Sequence, residues 1–219
     1  RGGHAYDGPS PVLVFAASIP VSLLVVIAIA VPMSIVGIAV DGPAGRLASV
    51  AVQTVVYLGL IRLLVVDARA LSWSAMGLRR LDLAALRELG QGALWAGPVV
   101  LATVVVAVIL GTVFPVTPAS PLPPTGDVAG FVVNLLAGAI LAPIGEEILF
   151  RGFATTAWAA DLGPRRALVR GALFFAIAHV LTISGGSASE ALGLAVLGFA
   201  TRVPVALVLG WLFLRHRSI

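Results

Sequence analysis

Between Asp7 and Asp41 the chain runs for 33 residues without a charge, and between Glu88 and Asp127 for 38. About 20 apolar residues suffice to take a helix across a bilayer. Composition agrees: of 219 residues 59% are hydrophobic and 11% charged, with a mean hydropathy of +1.08. A soluble domain carries roughly 25% charged residues, so this chain cannot cover a water-facing surface. The same balance excludes disorder, which needs low hydrophobicity and high net charge. A backbone in lipid must satisfy its own hydrogen bonds. The expected fold is therefore all-α, a polytopic transmembrane helical bundle over residues 11–219 behind a short tail at 1–10.

Six spans are expected. The first lies between Asp7 and Asp41, with Pro20 and Pro32 as points of interruption or tilt. Residues 47–66 form the second, with Arg62 near enough to the end to snorkel. Residues 67–90 mix Arg69, Arg79, Arg80, Asp82, Arg87 and Glu88 with Trp73, Leu78, Leu83, Leu86 and Leu89. That pattern predicts a loop and a short interfacial amphipathic helix, with Asp82 as N-cap. A third span over about 92–114 precedes a proline-rich loop. The fourth runs from Val128 to about Phe153, the fifth from 167 to 183, and the sixth from 190 to 214, with Arg202 and Pro204 marking a place for a break.

All 14 basic side chains of the arginine/lysine class are arginine. They form no patch of the kind that tracks nucleic acid. Nine of the 14 fall in the 67–90 and 161–170 segments and the 215–217 tail, whereas 41–45, 115–127 and 184–189 hold none. By the positive-inside rule this alternation suits a multi-pass cell-membrane protein with the sequence GEEILFRG at the cytoplasmic end of its span. Arginine without lysine, with heavy Ala, Val, Gly and Leu usage, points to a GC-rich bacterial coding sequence. The absence of cysteine excludes disulfides and thiolate chemistry.

Ionisable groups within membrane helices are functional candidates by default. Glu146 and Glu147 end an uncharged run of 18 residues, 128–145, and Arg151 follows one turn later. Glu147 and Arg151 have the spacing and order of a favourable helical ion pair. Glu146 projects about 100° away, free to face a cavity as a general base. Pro143 and Gly145 loosen the preceding turn, and Pro143 leaves the Ala139 carbonyl without its helical donor. His179, expected deep in the fifth span, shares a face with Phe175 and could hold or exchange a proton with a water near Glu146. From position alone the acids and arginine read equally well as an interfacial anchor, and the histidine as a helix–helix hydrogen-bonding residue. His4 and His216 sit near the chain ends and attract no role. Ser184 and Ser187 lie in a polar loop without an embedded base.

The run Glu146-Glu147-Ile-Leu-Phe-Arg151-Gly, followed by Phe175-Ala-Ile-Ala-His179, resembles the E-E-x-x-x-R and F-x-x-x-H motifs of the CPBP (CAAX protease and bacteriocin-processing, or Abi) family. These are intramembrane endopeptidases that include the type II CAAX prenyl endopeptidases. The likeness covers about residues 60–219, including the amphipathic stretch near WSAMGLRR. It implies that Glu146 activates the attacking water, that His179 helps to hold it, and that Glu147 and Arg151 support the site. It further implies a following helix with an H-x-x-x-N motif. The sequence given ends at Ile219, about where that helix is expected, and begins at Arg1 without a methionine, so a fragment or processed product is expected.

The expected activity is hydrolysis of a peptide bond near the cytoplasmic face, on a peptide or protein substrate that is prenylated or membrane-associated. The partners are that substrate and the bilayer, not nucleic acid. The residues require no cofactor: catalytic zinc wants three protein ligands, and Glu146 and His179 supply two, although zinc fits the family's metalloprotease-like label. The alternatives are a non-catalytic immunity or scaffold protein, sensitive at packing glycines such as Gly138, and a small proton-coupled transporter.

Overall fold

A computed structural model describes residues 5–79, 82–118, 120 and 122–219. His4 and Arg80 lie outside the described residues, as does the start of the tail. The described chain is helical without strands: α1 (Pro11–Ile35), α2 (Pro43–Val66), α3 (Leu83–Val113), α4 (Val128–Leu162), α5 (Pro164–Ala178) and α6 (Ala188–His216). Five are long and apolar enough to cross a membrane. The exception is α5, where the fifth span was expected. Its 15 residues reach only about 22 Å at 1.5 Å per residue, short of the ~30 Å hydrocarbon core.

Three expected boundaries move. Pro20 and Pro32 do not interrupt α1, and neither Arg202 nor Pro204 breaks α6. A proline frees one carbonyl without forcing a break when neighbouring groups compensate. The carbonyl that Pro204 frees is that of Ala200; the polar side chains just before the proline bond further back along α6, the Thr201 hydroxyl to the Leu197 carbonyl at 2.8 Å and Arg202 Nη1 to the Gly198 carbonyl at 2.9 Å. The amphipathic stretch is not a separate interfacial helix. Asp82 does cap a helix, accepting from the Ala85 amide at 2.8 Å, but that helix is α3 and continues to Val113. Gly90 and Gly92 cost only about 1 kcal/mol each within a helix, too little to divide it.

The chain packs as two compact units. The first holds residues 1–6, 73–118 and 150–219, the second residues 7–72 and 119–149. α4 contributes to both, its residues up to Leu149 belonging to the second unit and those from Phe150 to the first.

In the second unit α1 packs on α2, and α2 on the first half of α4. The α2–α4 approach is tight because Gly145 has no side chain: a Cβ there would lie 2.8 Å from Thr54 Oγ1. Small residues of this kind let membrane helices pack backbone to backbone. Asp127 starts α4, its carboxylate accepting from the Gly130 amide.

In the first unit α5 packs on α6 and on the end of α4, and α3 packs on α6. Gly163, at φ +79, makes the corner between α4 and α5, a conformation in which glycine carries no Cβ penalty. Ala167, Gly171, Ala172, Phe175 and Ala176 form the buried face of α5. Gly171 lies against Thr155 and Gly210 against Leu168, where added Cβ atoms would meet side-chain atoms at 2.8 and 2.9 Å. Ser187 caps α6 by accepting from the Glu190 amide, and Glu190 accepts in return from the Gly186 amide at 2.7 Å, a variant of the capping box.

His216 has a structural role that its place near the chain end concealed. Its Nδ1 lies 3.7 Å from Glu88 Oε1, and Arg79 holds the other oxygen of the same carboxylate. Beside it the Ile219 amide donates to the Gly77 carbonyl at 3.1 Å.

Candidate active site

The helix that carries the two glutamates is not a regular α-helix. Residues Leu136–Leu141 and Glu147–Thr155 of α4 are π-helical, separated by the α-turn Ala142–Glu146 with Pro143 inside it. The second wide stretch begins at Glu147 and contains Arg151. π-turns are rare, short and frequent at functional sites. One is secured by a side chain: the buried Thr155 hydroxyl donates to the Phe150 carbonyl, five residues back, at 2.8 Å.

Arg151 and His179 come together around one aromatic ring. Arg151 is only 2% exposed, and its guanidinium carbon stands 4.1 Å from the Phe175 ring centroid. Desolvated cation–π contacts of this kind contribute about 2 kcal/mol. His179 lies 4.2 Å from the same ring, centroid to centroid, and Phe150 packs edge-on to Phe175 at 5.1 Å. The F-x-x-x-H spacing thus builds a real packing unit.

His179 differs from its expected place. It is the C-cap of α5, not a mid-span residue, because the helix ends at Ala178. Its Nδ1 lies 2.8 Å from the Phe175 carbonyl oxygen. A carbonyl can only accept, so Nδ1 carries the proton and a neutral ring presents Nε2 as an acceptor. The same carbonyl also accepts from the His179 amide at 3.3 Å, so backbone and ring of one residue close the last turn of α5.

Glu146 and Glu147 are half-buried in the second unit. There α2, which carries Tyr57, packs against the turn Ala142–Glu146. Tyr57 is 5% exposed and its phenol oxygen accepts from Gln53 Nε2 at 3.0 Å. Sequence alone assigns this pair no role. A signal was present: Gln53, Thr54 and Tyr57 put polar groups at i, i+1 and i+4 of an otherwise apolar span. Among the described residues no three His, Asp or Glu side chains are grouped as a metal site requires.

A comparison with protein families bears on this arrangement. Residues 128–219 match the family model described as Type II CAAX prenyl endopeptidase Rce1-like. The matched segment contains both glutamates, Arg151, Phe175 and His179. It begins at the first residue of α4, so the stretch from 60 to 127, where the resemblance was also expected to run, lies outside the match. No curated protein matches the chain, and no solved structure does.

Proposed function

We propose that this multi-pass membrane protein is an endopeptidase that hydrolyses a peptide bond near the cytoplasmic membrane face, with Glu146 as general base. The observation that carries the reading is that one family match spans both motifs. The tautomer of His179 supports it, since Nε2 of a neutral ring is suited to accept from a water. So does the burial of Arg151 against Phe175, which keeps a positive charge beside the ring that His179 also packs on.

In this reading Glu146 takes a proton from a water that His179 helps to hold. The water oxygen adds to the scissile carbonyl, the C–N bond breaks, and the proton passes from Glu146 to the departing nitrogen. Carboxylate and amine products result, and Glu146 is regenerated. Glu147 and Arg151 fix the geometry and charge around the base. The family's chemistry points to prenylated or otherwise membrane-associated peptide termini as substrates. Glu146→Gln in the reconstituted protein is expected to lower hydrolysis of a farnesylated CAAX peptide by roughly 100- to 10,000-fold. Hydrolysis at the wild-type rate would sink the proposal and favour a non-catalytic role for the same fold.

A further inference from the structure

We propose that the cavity at the starts of α2 and α4 binds the ammonium–phosphate headgroup of an ethanolamine phospholipid. The site lies wholly within the second unit and is independent of the hydrolytic reading of Glu146.

The cavity has a volume of about 330 Å³, and Asp41, Arg46, Pro123, Thr125, Asp127 and Asn134 line it. It joins two loops far apart in the chain. α2 begins at Pro43 and α4 at Val128, and both are long and apolar enough to cross a membrane. The cavity therefore stands where headgroups meet the hydrocarbon core. Gly130 lets the two helix starts close, because a Cβ there would lie 3.2 Å from Pro43 Cγ and from Thr125 Cβ. The loop wall is held by its own hydrogen bonds. The Thr125 hydroxyl donates to the Asp127 carbonyl at 2.8 Å, and the Asp127 carboxylate accepts from the Gly130 amide at 2.6 Å.

Asn134 carries the argument for a ligand. It is only 3% exposed, and its Nδ2 donates to the Pro123 carbonyl at 3.4 Å. A carbonyl can only accept, so the amide nitrogen faces Pro123 and Oδ1 is left as an acceptor. Among the described residues that Oδ1 has no hydrogen-bond partner. A buried acceptor without a donor is costly, and the adjoining cavity is where a donor can enter.

The rest of the lining says which donor. Asp41 and Asp127 add carboxylates, while Pro123 and Pro124 contribute carbonyls but no amides. Such an acceptor-rich wall suits an ammonium. On the other side no side chain caps α2 at Gly42, and the Arg46 amide closes its first turn on the Gly42 carbonyl at 3.0 Å. A helix start beside a guanidinium suits a phosphate. A bare ion is far too small for this space, since one water takes about 30 Å³. An ammonium and a phosphate joined by an ethylene link have both the charges and the size. A choline headgroup has no N–H for Asn134, and among the described residues the lining holds no aromatic ring to take it. The depth of the cavity makes a lipid the source, and so does a narrow apolar cleft beside it. Met33 of α1 lines that cleft with Val40, Gly45 and Val52, and Val40 and Gly45 directly precede Asp41 and Arg46 in the chain.

The test is native mass spectrometry of the detergent-purified full chain, titrated with ethanolamine, choline and glycerol phospholipids of identical acyl chains. Free O-phosphoethanolamine is titrated in parallel. Wild type is compared with Asn134→Leu, Asp41→Asn and Arg46→Gln, with thermal unfolding measured on each. Wild type should bind the ethanolamine lipid roughly 10-fold more tightly than the other two. Asn134→Leu and Arg46→Gln should each lower that affinity roughly 10-fold, the effect of one hydrogen bond to a charged group, and leave choline-lipid binding unchanged. Asp41→Asn, at an exposed position, should lower it less. It and Arg46→Gln keep the test open should Asn134→Leu not fold. Equal affinities for the three lipids overturn the proposal and make the cavity a water-filled vestibule. Wild-type selectivity in folded Arg46→Gln and Asp41→Asn overturns it too. Free O-phosphoethanolamine binding as tightly as the lipid would uphold the ammonium–phosphate site and overturn the bilayer as its source.

Discussion

α3 and α4 are both long apolar helices with a proline inside, yet they differ in backbone and surroundings. α3 is α-helical throughout despite Pro98, and no residue of its most apolar stretch is buried. α4 departs from the α-helix twice, and a run of buried residues from Ile148 through Trp158 begins in the second departure and continues into the α-turns after it. Pro20, Pro32 and Pro204 likewise sit in uninterrupted α-helices. Proline therefore does not by itself account for wide turns in this protein. Nor does burial: the stretch Glu147–Thr155 is enclosed by packing, whereas Leu136–Leu141 and the π-turn Arg62–Val66 that ends α2 each hold a single buried residue.

That contrast can be broken most decisively with cavities. Phe153 of α4 is 0% exposed, whereas Ile109 of α3 is 59% exposed. Phe153→Ala should cost about 3 kcal/mol, and Ile109→Ala well under 1 kcal/mol, as expected of a substitution away from packed features. Reversible unfolding in detergent micelles would measure both, and equal losses would show that the two helices are packed alike.

Added volume gives the next test. A Cβ at Gly145 meets Thr54 at 2.8 Å, while one at Gly97 of α3 meets nothing within 4 Å. Gly145→Val should destabilise by roughly 1–3 kcal/mol. Gly97→Val should be neutral or slightly stabilising, since glycine is the poorer helix former. A tolerated Gly145→Val would mean that α2 and α4 are not held at close approach.

The smallest expected effect is a pH response where the N-terminal tail meets the far end of α4. The Tyr6 amide donates to Asp161 at 2.8 Å, and its ring lies 6.2 Å from Phe153. Burial, with the Asp161 carboxylate beside it, pushes the Tyr6 phenol up to about 12 from an ordinary value near 10. The folded state holds this proton more tightly than the unfolded chain. Its contribution is therefore complete below about pH 10 and is lost as pH rises through 12. Limited proteolysis of the tail should speed up across that window in wild type, and Tyr6→Phe should abolish the response.

The candidate site was legible to the extent that its residues reported on themselves. Two acids at the end of an 18-residue uncharged run could not be missed, nor could an arginine four residues on. The place of His179 was harder to read. No glycine or proline separates it from the apolar run that continues to Ile183, so nothing in the pattern announced that α5 ends at Ala178. Tyr57 was harder still, because one polar ring in an apolar span carries meaning only once the facing helix is known.

Sequence by itself determined that the chain is helical and crosses a membrane, because uncharged runs of this length leave the backbone no partner but itself. It also determined that Asp82 would start a helix, since an aspartate ahead of an apolar run satisfies amides locally. Tertiary structure alone decided where α4 widens into π-turns, that Arg151 and His179 share the Phe175 ring, and that Thr54 closes on Gly145. Each of these depends on which small residue lets which helix approach, and that is a property of pairs of segments far apart in the chain.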